Sequence, residues 1–229
     1  INLCSTRVRR NSSKIIYCSL ANKKSAHSFI NEFISFINIF YQNVCRMSYP
    51  NYRLFDAVQY QLDKFPKSDM LNAKVNGAWQ HNSTADVLEL VNKFSAGLLQ
   101  LGVACNDCTA ESSDKIAILS SNRPEWLYTD FAAQQIGAIL VPIYPTTNPL
   151  ELEFILKDAH AKYVFVGDEE LYHKVKDIKE RVPSIQTIYS FNEVPGAHNY
   201  KEVIALATPQ TLQKVEEIKK GIPVSHTAT

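Results

Sequence analysis

The sequence predicts an α/β protein built on a mostly parallel, doubly wound sheet flanked by helices, and three features carry that prediction. Short apolar runs alternate along the chain with amphipathic stretches of helical period. The runs are apolar at consecutive positions rather than at every second one, as strands buried on both faces are. The amphipathic stretches open on helix-start residues, so each run is separated from the next by a crossover long enough to return the chain to the same edge.

Residues 73–80 come first, with Asn76-Gly77 between two short runs, the usual signal of a two-residue hairpin. Ser83-Thr84-Ala85-Asp86 has capping-box spacing, Val87, Val91, Phe94, Leu98 and Leu101 follow on one helical face, and Gly102 stands where a C-terminal cap belongs. Lys115 to Ser120 reads as a buried strand. A helix follows from Pro124, whose missing N–H costs nothing in a first turn, to Gly137. Ile139 to Tyr144 is the next strand. Asn148 as cap, Pro149 at the first helical position and Glu151 three residues after the cap open the following helix, with Leu152, Ile155, Leu156 and Ala159 facing inward. Tyr163 to Val166 is a strand, and a helix from Asp168 to Arg181 turns Leu171, Val175, Ile178 and Val182 inward. Residues 185–189 give a further strand. After Tyr200 the pattern weakens to one helix, near Pro209 to Lys220.

The chain has 229 residues, 45% of them hydrophobic, and a formal net charge of +1 that hides an asymmetry. Residues 1–46 hold seven Lys/Arg against the single acid Glu32, leaving residues 47–229 with 17 basic and 22 acidic groups, a net of −5. A mildly acidic body has no clustered cations to neutralise phosphates, which sets nucleic acid aside as a partner. The apolar patch at residues 29–41 is interrupted by Asn31, Glu32, Ser35 and Asn38, too short and polar to cross a bilayer. It suits a peripheral position on a membrane surface, and the acid-poor, Ser/Arg-rich start resembles a transit segment. Met47 stands immediately before the globular pattern. The chain therefore divides into a basic leader, residues 1–46, read as disordered, targeting or non-native, and a body, residues 47–229.

Five cysteines, three of them in the leader, suggest no disulfide framework and favour a reducing, cytoplasmic compartment. Cys105-Asn106-Asp107-Cys108 has metal-ligand or redox spacing, but no second pair or suitably spaced His follows it. The reading is two cysteines in a surface loop.

An open parallel sheet binds ligands beyond the carboxyl ends of its strands, so chemistry is sought in the loops after Ser120, Tyr144 and Val166. The seven glycines are scattered and no two stand two apart, so neither G-x-G-x-x-G nor a phosphate loop is present; Gly97 and Gly102 have the outer spacing of such a loop, but Val103-Ala104 replaces its Lys-Ser/Thr. The six histidines form no ligand pair, and no G-x-S-x-G elbow presents a nucleophile. Asp168, Glu169 and Glu170 are an acidic helix start. No residue is given a catalytic, cofactor-binding or metal-ligating role.

Two loops are distinctive: Ser121-Asn122-Arg123-Pro124-Glu125-Trp126, and Val141-Pro142-Ile143-Tyr144-Pro145-Thr146-Thr147. With Phe154-Ile155-Leu156-Lys157-Asp158-Ala159 and Lys162-Tyr163-Val164-Phe165-Val166 behind them in order, residues 50–229 resemble the N-terminal region of long-chain fatty acyl-CoA synthetases, members of the adenylate-forming, AMP-binding superfamily. The resemblance implies an incomplete N-terminal domain of that fold. It implies a parent ligase whose partners are a fatty acid, ATP with Mg2+, and CoA: the carboxylate attacks the α-phosphate to give an acyl-adenylate and pyrophosphate, then the CoA thiol displaces AMP. The family's Ser/Thr/Gly-rich loop with its lysine would begin a few residues beyond Thr229, so this chain alone is expected to be inactive and to bind none of these cofactors well. Tyr144, Pro145 and Thr146 match a family segment that borders the channel used by CoA and the acyl chain. By themselves these residues read as a strand end shaped by Pro142 and Pro145 before a helix cap. Arg123 and Glu125 are expected to pair within their own loop at a helix start rather than to meet substrate. The loop at residues 105–113 is longer than the family's, and Ser113 stands where a glycine often precedes Asp114.

Two other readings compete. One is a non-catalytic α/β module that binds a partner or small ligand, with both sheet edges protected. The other is an adenylate-forming ligase for another carboxylic acid. The synthetase reading instead expects exposed apolar surface and an unpaired sheet edge.

Overall fold

In a computed structural model of the chain, residues 53–75 and 77–229 are described. The leader assigned to residues 1–46, with its apolar patch, and Asn76 of the expected hairpin turn lie outside the described residues.

Helix α1 (Asp56–Lys64) precedes a hairpin of β1 (Leu71–Val75) and β2 (Ala78–Asn82), which pair antiparallel with Val75 opposite Ala78. Gly77 in the connection has φ +83°. The hairpin forms where Asn76-Gly77 predicts it, two residues longer on each arm. Helix α2 (Thr84–Gln100) starts on Ser83, whose hydroxyl accepts from Asp86 N–H while the Asp86 carboxylate accepts from Ser83 N–H, the reciprocal capping box. It ends on Gly102 at φ +75°, with Val103 N–H bonded to Leu98 O, a Schellman closure.

The main sheet holds β3 (Lys115–Leu119), β4 (Ile139–Ile143), β5 (Tyr163–Val166), β6 (Thr187–Ser190) and the short β7 (His198–Asn199), in the order β4-β3-β5-β6-β7 with every neighbour parallel. Helix α3 (Pro124–Gln135) joins β3 to β4, α4 (Pro149–Asp158) joins β4 to β5, and α5 (Glu169–Lys179) joins β5 to β6. Helices α6 (Tyr200–Ala205) and α7 (Pro209–Gly221) follow β7.

Consecutive strand residues face opposite ways, and the two faces collect two separate cores. Ile116, Ile118, Leu140, Tyr163, Phe165 and Tyr189 pack against α2, α3, α6 and α7 on one side. Ala117, Leu119, Ile143, Val164 and Val166 pack against α4 and α5 on the other. The continuous apolar runs are thus explained: β3, β5 and β6 have no solvent face to supply with polar residues. Phe94 of α2 meets Phe165 edge-on, ring centroids 5.3 Å apart, and Phe165 stacks on Tyr189 at 5.2 Å and on Phe191 at 6.0 Å.

Apart from other ends shifted by one or two residues, three features differ from expectation. The strand read at residues 185–189 begins at Thr187, because Ile185 N–H closes a turn onto Val182 O around Pro183. Asp168 is the cap of α5 rather than its first residue, its Oδ1 accepting from Leu171 N–H at 3.0 Å. The region after Tyr200 holds two helices, not one; α6 is too short for a periodic signal, and its start is a capping box formed by Asn199 and Glu202.

Candidate functional site

The chain runs from β3 to β4 through α3 on one face, then crosses back over β3 to reach β5 through α4 on the other. The carboxyl ends of β3 and β5 are therefore where successive connections leave in opposite directions, the switch point at which open α/β sheets bind ligands. The loops after β3, β5 and β6 meet there.

Arg123 holds them together. Its Nε and Nη2 donate to the two oxygens of Glu125 at 2.8 and 3.1 Å, the two-pronged geometry expected within one loop. Its Nη1 also donates to Gly167 O, after β5, and to Asn192 Oδ1, after β6, each at 3.0 Å. The guanidinium carbon lies 5.2 Å from the Phe191 ring centroid, and Phe191 meets Tyr200 edge-on at 5.4 Å. A column of aromatic rings from the core thus ends directly beneath this cation. Burial, reinforced by the Glu125 charge, pushes the Tyr200 phenol up to about 12, so it stays protonated. A Cβ at Gly167 would lie 2.9 Å from Ser120 Oγ, so any other residue there would oblige the Ser120 hydroxyl to turn aside.

The sequence placed Arg123 and Glu125 as a pair at a helix start, and they are one. It did not foresee that Arg123 also joins Gly167, Phe191 and Asn192. The signal was available only in part: the search of carboxyl-end loops covered the one after β5 but not the one after β6.

Tyr144, Pro145 and Thr146 follow β4 on the same edge. Thr147 N–H bonds Tyr144 O at 3.0 Å to close a turn, and Lys174 of α5 donates to Pro145 O at 2.8 Å. Tyr144 is 82% exposed. Leu150 and Phe154, one turn apart on α4, are 81% and 68% exposed, so three large apolar side chains face outward close together in the chain. The structure does not bring Tyr144 into the Arg123 cluster.

Nothing on this edge is shaped for a triphosphate with its metal ion. The N-terminus of α4 is capped by Asn148 Oδ1, which accepts from Glu151 N–H, and that of α5 by Asp168. The start of α3, which has no side-chain cap, carries the Glu125 carboxylate. Among the described residues no three His, Cys, Asp or Glu side chains converge as metal ligands do. The residues present do not fit Mg-ATP. A cleft of about 200 Å³ lies away from this edge, where Arg53, Phe55 and Ile222 meet Gln134 at the end of α3.

The fold and the switch-point edge define a doubly wound, parallel α/β domain. A family model described as AMP-binding enzyme matches residues 58–223, and the chain belongs to that family. Among curated relatives it is 25% identical over 162 residues to the long-chain-fatty-acid–CoA ligase ACSBG1 of Bos taurus, a match covering 71% of this chain and 20% of that protein. It is 27% identical over 114 residues to the long-chain-fatty-acid–CoA ligase FadD15 of Mycobacterium bovis, covering 50% of this chain and 18% of the relative. Among solved structures, the long-chain-fatty-acid-CoA ligase FadD1 of Archaeoglobus fulgidus superposes with a TM-score of 0.58 at 21% identity, over 69% of this chain and 31% of that one, which shows the shared fold. The chain spans about one fifth of the length of the curated relatives it matches. The family resemblance read from the two loop motifs is therefore borne out.

Proposed function

We propose that this chain is the N-terminal scaffold of a ligase that activates long-chain fatty acids with ATP and Mg2+ to acyl-adenylates and transfers the acyl group to CoA. The chain alone does not carry out either step. The observation that carries this reading is the outward-facing trio Tyr144, Leu150 and Phe154 at the carboxyl end of β4. A free-standing module gains nothing from exposing three such side chains, whereas a domain that continues into an acyl and CoA channel needs an apolar border there. Tyr144, Pro145 and Thr146 form that border, on a turn held by Lys174.

The chemistry requires what this edge lacks. A carboxylate becomes an electrophile only when AMP is its leaving group, and the phosphate in transfer needs cationic and N–H stabilisation. Arg123 is poorly placed to supply it, because four of its five N–H donors are taken up by Glu125, Gly167 and Asn192. Its role is to hold three loops in register below the channel. A cytoplasmic enzyme peripheral to a membrane fits a fatty acid substrate, and no helix among the described residues is long and apolar enough to cross a bilayer.

Fatty-acid-dependent exchange of pyrophosphate into ATP tests the reading. The 229-residue chain is expected to show none, and a longer chain that carries it on through the family's phosphate loop and C-terminal domain is expected to show exchange with long-chain acids. Exchange by the short chain, or by the longer one only with short or aromatic acids, would sink the proposal.

A further inference from the structure

The loop at residues 105–113 precedes β3 at the amino edge of the sheet, opposite the Arg123 cluster. Its two cysteines are half-buried, and Cys105 Sγ–H donates to Cys108 Sγ at 2.8 Å. We propose that Cys105 and Cys108 form a reversible intraloop disulfide, a modification site that takes a low-molecular-weight disulfide as its oxidant.

The pair is held in place by groups other than the sulfurs. Asp107 Oδ1 accepts from Thr109 N–H at 3.0 Å, from Thr109 Oγ1 at 2.8 Å and from Ser112 Oγ. Ala104 and Asp114 close the base of the loop, with Asp114 N–H on Ala104 O at 3.0 Å and Ala104 N–H on Asp114 Oδ2 at 2.9 Å. Cys105 bridges Ser113 across the loop. Cys108 sits in the left-handed region at φ 56°, where the chain doubles back. The loop is also fastened to the sheet: the His226 ring lies between Cys108 O, 2.9 Å from Nδ1, and Gly137 O, 3.0 Å from Nε2. Both ring nitrogens face backbone carbonyls, and among the described residues no third protein ligand joins the two sulfurs, which favours thiol chemistry over a zinc site. Two thiols fixed this close have a high effective concentration for each other, so a mixed disulfide formed on one is resolved by the other before it escapes.

The steps balance. The Cys105 thiolate attacks one sulfur of RS–SR, forming Cys105–S–SR and releasing RS⁻. The Cys108 thiolate attacks the Cys105 sulfur, the Cys105–SR bond breaks, and a second RS⁻ leaves. The protons of the two thiols pass to the two RS⁻, so the cysteines are oxidised and the small disulfide is reduced to two thiols. Burial, with the bond from Cys105, pushes the Cys108 thiol up to about 11, so its thiolate is scarce near neutral pH and the second step depends on the proximity of the two sulfurs.

Trypsin releases both cysteines in one peptide, Phe94 to Lys115, because no Lys or Arg lies between Lys93 and Lys115. After equilibration of the full chain with oxidised and reduced glutathione, that peptide is expected to be lighter by two hydrogens and unreactive to iodoacetamide, and dithiothreitol is expected to restore both thiols. The Cys108→Ser variant is expected to stop at a glutathione adduct on Cys105. The equilibrium constant against glutathione is expected to be at least about tenfold larger in native buffer than in urea, since the folded loop supplies the proximity. Persistent glutathione adducts in the parent chain, pairing with Cys4, Cys18 or Cys45, or equal constants in buffer and urea would overturn the proposal. Protection from iodoacetamide by added Zn2+ with no loss of hydrogens at any glutathione ratio would overturn it as well.

Discussion

Arg123 Nη1 donates to the carbonyl of Gly167 at 3.0 Å, tying the loop after β3 to the loop after β5 across the point where the sheet's connections reverse. The same side chain grips both oxygens of Glu125 and reaches Asn192, so one residue fixes the relative positions of three loops. Removing it leaves Glu125, with only 19% of its side chain exposed, without its cation.

Arg123→Ala is expected to lower stability by about 2–3 kcal/mol, the usual range for charge-assisted hydrogen bonds at partly buried sites. Urea unfolding measures it. Arg123→Lys should recover only part of the loss, because an ammonium cannot fork onto a carboxylate while reaching two further acceptors. A loss below about 0.5 kcal/mol in the alanine variant would show that the cluster holds nothing in place.

Gly97→Ala should be costlier than its chemistry suggests. A Cβ at Gly97 would sit 2.7 Å from the carbonyl carbon of Val203 and closer still to its oxygen, and backbone cannot move aside as a side-chain tip can. Overpacking of this kind costs about 1–3 kcal/mol or more, and the strain falls on the contact between α2 and α6. Circular dichroism melts of the variant are expected to show a clearly lower Tm; an unchanged one would mean that the two helices are not in contact.

Asp130 is buried on α3, and burial raises its pKa, an effect that Gln134 Nε2 partly offsets by donating at 2.7 Å. The folded state therefore binds this proton more tightly than the unfolded chain, whose value is near 3.8. By linkage, the parent loses stability as pH rises through the window from about 3.8 to the raised folded value, and stays penalised above it. Asp130→Asn is expected to raise Tm at pH 7, with the advantage shrinking as pH falls through that window. An advantage that does not depend on pH would rule out ionisation as the cause.

Asn148→Ala removes the cap of α4, leaving Glu151 N–H without its acceptor. The loss should be about 1 kcal/mol, readable in urea unfolding. Asn148→Asp should be tolerated, since a carboxylate accepts the same bond and suits the positive end of the helix.

Local signals made most of the fold legible. Ser83 and Asn148 each cap the helix that their spacing announces, and Gly102 and Gly137 both end helices at positive φ. These interactions span a few residues, so local sequence holds both partners of each. The strands were legible for a different reason: burial on two faces removes polar residues from a run, and that deficit shows without knowledge of what covers it.

What lay hidden joins residues far apart in the chain. Arg123 and Asn192 are 69 positions apart, and Cys108 and His226 are 118 apart. Spacing gave the two cysteines as a surface pair, yet only the turn at Cys108 and the Asp107 hydrogen bonds bring their sulfurs together. Amino-acid order by itself determined most of the alternation of helices and strands, the best-capped helix starts and the family. Tertiary structure alone decided the strand order β4-β3-β5-β6-β7, and with it which loops converge. A hydrophobic run specifies that a strand is covered but not which strand lies beside it; that choice is made by packing both faces at once.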